Sequence, residues 1–520
     1  MSVPPRAARV LPAVPNLEQQ KKQARELLDA ARAGDATALA RVREFHPRLS
    51  ALPDAEWPPA RLMLSDAQLV MAREYGFPSW PRFKAHIDSA NAAHRTRPFV
   101  REPQYYDDRA HGLLEVLADG AAATLEQVRS WHPEYAGRTD EAIRAAATSG
   151  EFTIEDARLV YAREHGFPSW DRFTRHLKKL EAGRVSEPFM EVLEAGKRGD
   201  WSRVGDLLRA HPDLVRARGT NGNSLLGLAV SLTGCGAPLR TGTTGQPPNT
   251  QRLEPVRRLL AAGADPNQPN DRGWTTLHQA AYSNDQEMAT LLLKAGGDVS
   301  REAHGAGGTP LAVGLFWGYR ETPELLAGVA VIPANLRVAA GLGRLDLVRR
   351  CFTGGGRLAP EAVASRGFYR PHSGFPRWQP SDDPGTVLDE ALVWAAKADR
   401  VEVMPLLVER GARVGADPYR GTPLLWAGAN GRIAAAGWLL DNGAEVNQRA
   451  TFGGPGHGDG VTALHLAAQS GHREMVEFLI SRGGDPRIRD NLYQGPASGW
   501  AGHSGHNQLA AWLTRVEGGA

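Results

Sequence analysis

Residues Gly460–Asp485 read GVTALHLAAQSGHREMVEFLISRGGD, and the spacing of their apolar residues and glycines decides the fold. Leu464, Leu466, Ala467 and Ala468 recur at helical spacing, Gly471 can adopt a positive φ, and Met475, Val476, Phe478, Leu479 and Ile480 form a second apolar face before Gly483 and Gly484 close the unit. The pattern predicts helix, turn, helix. Neither helix is long enough to stand alone in water, so the pair needs neighbours on both flanks. The same register returns upstream as GWTTLHQAAYSNDQEMATLLLKAGGD at Gly273–Asp298 and GTPLLWAGANGRIAAAGWLLDNGAE at Gly421–Glu445. Recurrence at a fixed register is the mark of a solenoid.

Two short motifs give the repeat its character. A head stands at Thr309-Pro310-Leu311, Thr422-Pro423-Leu424 and Thr462-Ala463-Leu464-His465, and a tail at Gly263-Ala264-Asp265-Pro266-Asn267 and Gly443-Ala444-Glu445-Val446-Asn447. Together they resemble the ankyrin repeat, a unit of about 33 residues, over the stretch from about Glu187 to the C-terminus. The resemblance implies an all-α, ankyrin-type helical repeat solenoid with β-turn or hairpin loops. Its motifs are specific for fold and nearly silent on function, because the fold hosts many binding roles.

Composition narrows the class. With 61 basic and 58 acidic residues among 520, the net charge is +3, and no whole-chain field argues for nucleic acid or a membrane surface. Arginine greatly outnumbers lysine, which reads as a bacterial-like proteome bias before it reads as a phosphate-binding signal. The two cysteines, Cys235 and Cys351, lie far apart without a C-x-x-C partner, and the Pro-rich N-terminus has no continuous apolar core. These features predict a soluble cytoplasmic protein.

The chain divides by pattern into a Pro-rich tail at 1–16, a helical unit at 17–98, a second copy at 99–186, and the ankyrin-type array at 187–520. The duplication rests on DAQLVMAREYGFPSWPRFKAHI at Asp66–Ile87 and DARLVYAREHGFPSWDRFTRHL at Asp156–Leu177, each preceded by a helical pattern ending in His-Pro. Both copies read as degenerate ankyrin-like helix pairs lacking the head and tail motifs. In the GFPSW motif, glycine ends one helix, Ser79 or Ser169 caps the next, and Phe and Trp staple the corner, so no ligand is needed to explain it. Three insertions interrupt the array, at 233–253, 358–387 and 450–460. The second is a long Arg- and aromatic-bearing segment ahead of a helix at Leu388–Lys397, and its deletion is expected to leave the array folded. The third lengthens a hairpin.

No G-x-S-x-G, H-E-x-x-H, phosphate-loop or dinucleotide fingerprint stands in a supporting context, which argues against an enzyme. His278 and His465 occupy the head-motif histidine position and read as structural. His472, His503 and His506 lack cysteine or carboxylate companions at ligand spacing, so neither a metal nor a cofactor is predicted. If the insertion carried proton-transfer chemistry, its agents would be His372, Tyr369, Asp389 and Glu390.

The resemblance places partner contacts at the hairpin tips and just before each inter-helix turn. Those positions are Asp271, Arg272 and Trp274; Tyr282 and Ser283; Phe316 and Trp317; Pro418 and Tyr419; Ala429 and Asn430; Gln469 and Ser470. Trp394 and Trp426, one place before the paired small residues, read as core. The favoured reading is a protein or peptide binder working through a concave groove. The alternative is an enzyme or small-molecule-sequestering protein in which the 358–387 insertion closes an aromatic-lined pocket of Trp317, Tyr369, His372, Trp378 and Tyr419. Nucleic-acid binding is disfavoured by charge balance and the lack of a recognised module.

Overall fold

The computed structural model of the chain describes residues 9, 17–49, 61–84, 86–87, 96–118, 120, 122–233, 252–369, 380–418, 420–451 and 458–518, apart from the side chains of residues 233 and 369. Contacts divide it into two compact units, Met1–Val192 with Ala217–Gly222, and Leu193–Arg216 with Asn223–Ala520.

The first unit contains α1 (Leu17–Arg32), α2 (Ala36–Phe45), α3 (Leu64–Glu74), α4 (Pro103–Ala118), α5 (Ala122–Trp131), α6 (Asp140–Ser149), α7 (Ile154–Glu164) and α8 (Trp170–Glu181). The duplicated sequence repeats its corner contacts in both copies. Gly76 and Gly166 turn the chain at φ 82° and 84°, and the hydroxyls of Ser79 and Ser169 each accept a hydrogen bond from the backbone N–H three residues on. Phe83 and Phe173 are fully buried, with Phe77 and Trp80 at 5.3 and 5.5 Å from the first ring and Phe167 and Trp170 at 5.4 and 5.9 Å from the second. The GFPSW motif is thus a corner staple, as its composition indicates.

The His-Pro motifs have a matching role. Buried His46 and His132 place Nε2 at 3.2 and 3.1 Å from the carboxylates of Asp66 and Asp156. Their Nδ1 atoms accept the N–H groups of Leu49 and Glu134, which puts the ring proton on Nε2 facing the carboxylate. Each Asp also accepts the backbone N–H of the residue before its helix. One carboxylate therefore caps a helix and latches the preceding pair onto it.

The second unit takes in the end of α9 (Pro188–Lys197), then α10 (Trp201–Ala210) and a row of helix pairs: α11 (Leu225–Thr233) with α12 (Glu254–Ala261), α13 (Thr276–Tyr282) with α14 (Gln286–Lys294), α15 (Pro310–Phe316) with α16 (Glu321–Ala327), and α17 (Leu336–Gly341) with α18 (Leu345–Arg350). After the short α19 (Pro360–Val363) come α20 (Pro384–Lys397) with α21 (Met404–Glu409), α22 (Pro423–Ala429) with α23 (Ile433–Asp441), α24 (Ala463–Gln469) with α25 (Arg473–Ser481), and α26 (Ala497–His503) with α27 (Asn507–Glu517). This is a helical repeat solenoid. A hairpin of β1 (Ala450–Thr451) and β2 (Asp459–Val461) pairs antiparallel between α23 and α24, at the third expected insertion.

The first helix of a pair is about two turns long and almost wholly buried, and its head motif explains why it starts where it does. Thr309 and Thr422 accept hydrogen bonds from Ala312 and Leu425 N–H, with Pro310 and Pro423 at the first helical position. In α13 and α24 the histidine closes the cap instead. His278 Nδ1 receives the Thr275 N–H and hydroxyl at 3.2 and 2.8 Å, while Nε2 donates to Gly308 O at 2.9 Å, in the next repeat. His465 does the same with Thr462 and Gly495. Arginines just ahead of the second helices add further ties. Arg432 donates to Lys397 O and Gly318 O, and Arg400 donates to Gly341 O and pairs with Glu324.

The 358–387 insertion departs from expectation. Its helix starts at Pro384 rather than Leu388, because Asp383 caps it by accepting the Thr386 N–H at 2.8 Å and Pro384 takes the first helical position. Upstream, Leu358 bridges to Phe352, and Ala362, Arg366 and Phe368 are buried. Ala362 and Val387 belong to the main apolar core of the unit. Much of the segment is built into the array and is not an appendage outside it.

Candidate functional site

The aromatic residues at the expected contact positions come together. Trp274 stands 5.2 Å from His278, 5.1 Å from His304 and 6.1 Å from Tyr282; Tyr282 stands 5.7 Å from Trp317; Trp317 stands 5.1 Å from Phe316. This ring-to-ring row runs across α13 and α15, and Phe316 continues it to Phe368 at 5.6 Å and Trp394 at 6.4 Å. Trp274, Tyr282 and Trp317 are half-buried and Arg272 is exposed. Burial pushes the Tyr282 phenol above its ordinary pKa.

Several expected contact residues are not available in the way their register implies. Phe316 is 7% exposed, because the Lys397 ammonium lies 4.5 Å from its ring centroid and Phe368 packs against it. Ser283 is buried, and its hydroxyl accepts from Gln279. Ala429 and Ser470 are buried. Asp271, Pro418, Asn430 and Gln469 are half-buried, and Asn430 donates to Trp426 O at 3.0 Å. His372, Trp378 and Tyr419, and the Tyr369 side chain, lie outside the described residues.

Asp389 and Glu390 are fully buried, and each is held by a different arginine. Asp389 accepts the Arg413 backbone N–H at 2.7 Å and its guanidinium at 3.0 Å. Glu390 accepts from Arg366 at 2.7 Å, with Arg337 at 3.8 Å. Adjacent helical residues point about 100° apart, which sends the two carboxylates to separate partners. Both carboxylates are engaged in ion pairs with arginine. Burial nevertheless holds the Glu390 carboxyl above its ordinary range, opposed by Arg337 and Arg366.

Around Glu390 the structure assembles residues that the contact register did not mark. Glu390, Trp394 and Lys397 share one face of α20 at i, i+4 and i+7. Arg337 of α17 lies with its guanidinium 4.7 Å from the Trp394 ring centroid. Lys397 Nζ donates to Phe316 O at 3.0 Å and lies 3.7 Å from the Trp426 centroid. Arg420, in the left-handed region at φ 60°, lies 5.8 Å from Phe316 and 6.0 Å from Trp426. Burial, then Arg420 and Arg337, drive the Lys397 pKa well below its ordinary value. Trp394 and Trp426 are buried, as expected, but they are buried against cations. A readable signal existed for part of this cluster, since counting back from the turn glycine Gly343 puts Arg337 at the head-motif histidine position.

Among the described residues no group of His, Cys, Asp or Glu could hold a metal, and no helix is long and apolar enough to cross a membrane. Residues 249–333 and 376–450 match the family described as Ankyrin repeats (3 copies), and 459–491 match the Ankyrin repeat family. These stretches of the chain are ankyrin repeats. It is 24% identical over 75% of its length to Ankyrin repeat and KH domain-containing protein mask-1 of Caenorhabditis elegans, of which it covers 13%. It is 28% identical over 43% of its length to E3 ubiquitin-protein ligase KEG of Arabidopsis thaliana, covering 14%, and 26% identical over 46% to human Rabankyrin-5, covering 22%. The chain thus spans under a quarter of each of these relatives. The repeats and these relatives support a role in protein–protein interaction.

Proposed function

We propose that the chain is a cytoplasmic binding protein whose concave groove, lined by first helices and edged by hairpin tips, takes a protein or peptide partner. The observation that carries this reading is the row of Trp274, Tyr282 and Trp317, three large rings in mutual contact and only half covered by the fold. Partly exposed aromatics beside an exposed arginine, here Arg272, have the composition of interface anchors. Asp271, Asn430 and Gln469 supply polar contacts along the same register. We further propose that the array begins near residue 187 and that 17–98 and 99–186 are two degenerate units of the same descent.

Cross-linking of cell extract to the purified chain, read by mass spectrometry, tests the groove. Partners captured by the native chain should be lost with Trp317→Ala and Tyr282→Ala and kept with a substitution on a second helix, such as Arg473→Ala. Equal capture by all variants would move the interface elsewhere.

A further inference from the structure

Two large apolar side chains, Leu492 at 39% and Tyr493 at 66%, stand exposed on the loop just ahead of α26. The loop that carries them is closely tied. Fully buried Asp490 accepts the N–H groups of Leu492, Tyr493 and Gly495 at 2.8, 2.6 and 2.9 Å and the Trp500 indole N–H at 2.9 Å. Asn491 fastens the loop to the neighbouring hairpin, its N–H donating to Asp459 O at 2.8 Å and its side-chain amide to the Asp459 carboxylate at 2.9 Å. Gln494, in the left-handed region at φ 52°, closes the turn by donating from its side chain to Asn491 O at 3.2 Å.

Two exposed arginines flank the pair. Arg449 donates to Asn491 Oδ1 at 2.8 Å and Arg489 to Gln494 O at 2.7 Å. A guanidinium has five N–H donors, and among the described residues each of these two meets a neutral oxygen of the loop and no carboxylate. The acids nearby are committed elsewhere: Asp490 to its four donors, Asp459 to Asn491, and Asp485 to Arg487. A single exposed tyrosine needs no explanation. Here a tyrosine and a leucine are mounted on a fixed loop between two cations that the fold leaves without an opposite charge.

We propose that the Asp490–Gly495 loop, with Arg449 and Arg489 on its flanks, docks an acidic peptide segment that carries a large apolar side chain. The apolar side chain packs on Leu492 and the Tyr493 ring, and the flanking carboxylates meet the two guanidiniums, whose paired donors match a carboxylate. Because the loop is already fixed, binding loses little ordering entropy on this side of the interface. The surface precedes the last helix pair and is separate from the row of Trp274, Tyr282 and Trp317, so either can fail without the other.

The test is selection of a phage-displayed library of random dodecapeptides on the full chain, followed by fluorescence polarisation of the selected peptides. Peptides in which Asp or Glu flanks Leu, Phe or Tyr are expected. Tyr493→Ser should weaken their binding at least tenfold, and so should Arg449→Gln combined with Arg489→Gln, which should also remove most of its salt dependence. Leu492→Ser serves as a second apolar variant, and since both apolar positions are exposed, neither change opens the core. Trp317→Ala should leave binding unchanged. Loss with Trp317→Ala and not with Tyr493→Ser would put the peptides in the groove, overturning this proposal while supporting that reading. Selection of basic or uncharged peptides, or of none, would also overturn it. So would pelleting of the chain with phosphatidylserine vesicles that depends on the two arginines and not on Tyr493, which would assign the surface to anionic lipid.

Discussion

His278 shows how one buried side chain couples stability to pH. Burial lowers its pKa from 6.5 to about 4, against the opposing pull of the Gly308 carbonyl, because the ring sits neutral between Thr275 and the next repeat. The folded state therefore binds the proton less readily than the unfolded state. Stability is fully present above about pH 6.5 and falls as the pH drops from there toward 4, by about 3 kcal/mol for this group. His465 shifts in the same direction from the same leading cause. Urea midpoints measured at pH 7.5 and pH 4.5 should differ less in His278→Gln than in the native chain. Gly318 sets a second residue-scale limit. At φ +79°, an added Cβ would meet Lys397 O at 2.7 Å, where Arg432 ties three repeats together. Gly318→Ala should cost about 1–3 kcal/mol in chemical denaturation. The head-motif histidine was legible in sequence because its bonds are local apart from one. The meeting of Lys397 with Phe316, 81 residues apart, was not.

Helix α20 is the longest described helix of the second unit. It is twice the length of the first helices in the neighbouring pairs, it starts at an Asp-Pro cap, and one face carries Glu390, Trp394 and Lys397. Asp383→Ala should remove the cap and cost about 1 kcal/mol by thermal unfolding. The Asp-Pro pair at 383–384 is a readable helix start, yet the Pro-rich run before it reads as loop, and the expected start at Leu388 falls four residues late. In the first unit the duplicated His-Asp latch gives a paired test. His46→Ala and His132→Ala should destabilise that unit by similar amounts, about 1–3 kcal/mol, as each breaks the same contact in one copy. A larger loss with His132→Ala would assign the excess to its ring contacts with Tyr135 and Phe152, at 4.9 and 5.9 Å.

For the molecule as a whole, the 358–387 segment decides whether the repeats on either side of it unfold together. Arg366 from that segment neutralises Glu390, and Ala362 lies in the core shared by the pairs around it. Deleting 358–382 strands a buried carboxylate, a change that costs about 3–5 kcal/mol when a buried pair loses one partner. The deletion should broaden or split the urea transition, and adding Glu390→Met to it should restore part of the loss. By itself the sequence determined the repeat, its helix pairs, the glycine turns, the Thr-Pro and Thr-x-x-His caps and the GFPSW corner, because all of these depend on residues a few positions apart. Only the tertiary structure decided that Phe316 and Ser283 are covered, that Asp389 and Glu390 serve separate arginines, and that Arg337, Lys397 and Arg420 gather among Phe316, Trp394 and Trp426. Those outcomes depend on side chains brought from repeats dozens of residues apart, and burial and charge pairing between them follow from the stacking of the helices rather than from any local spacing.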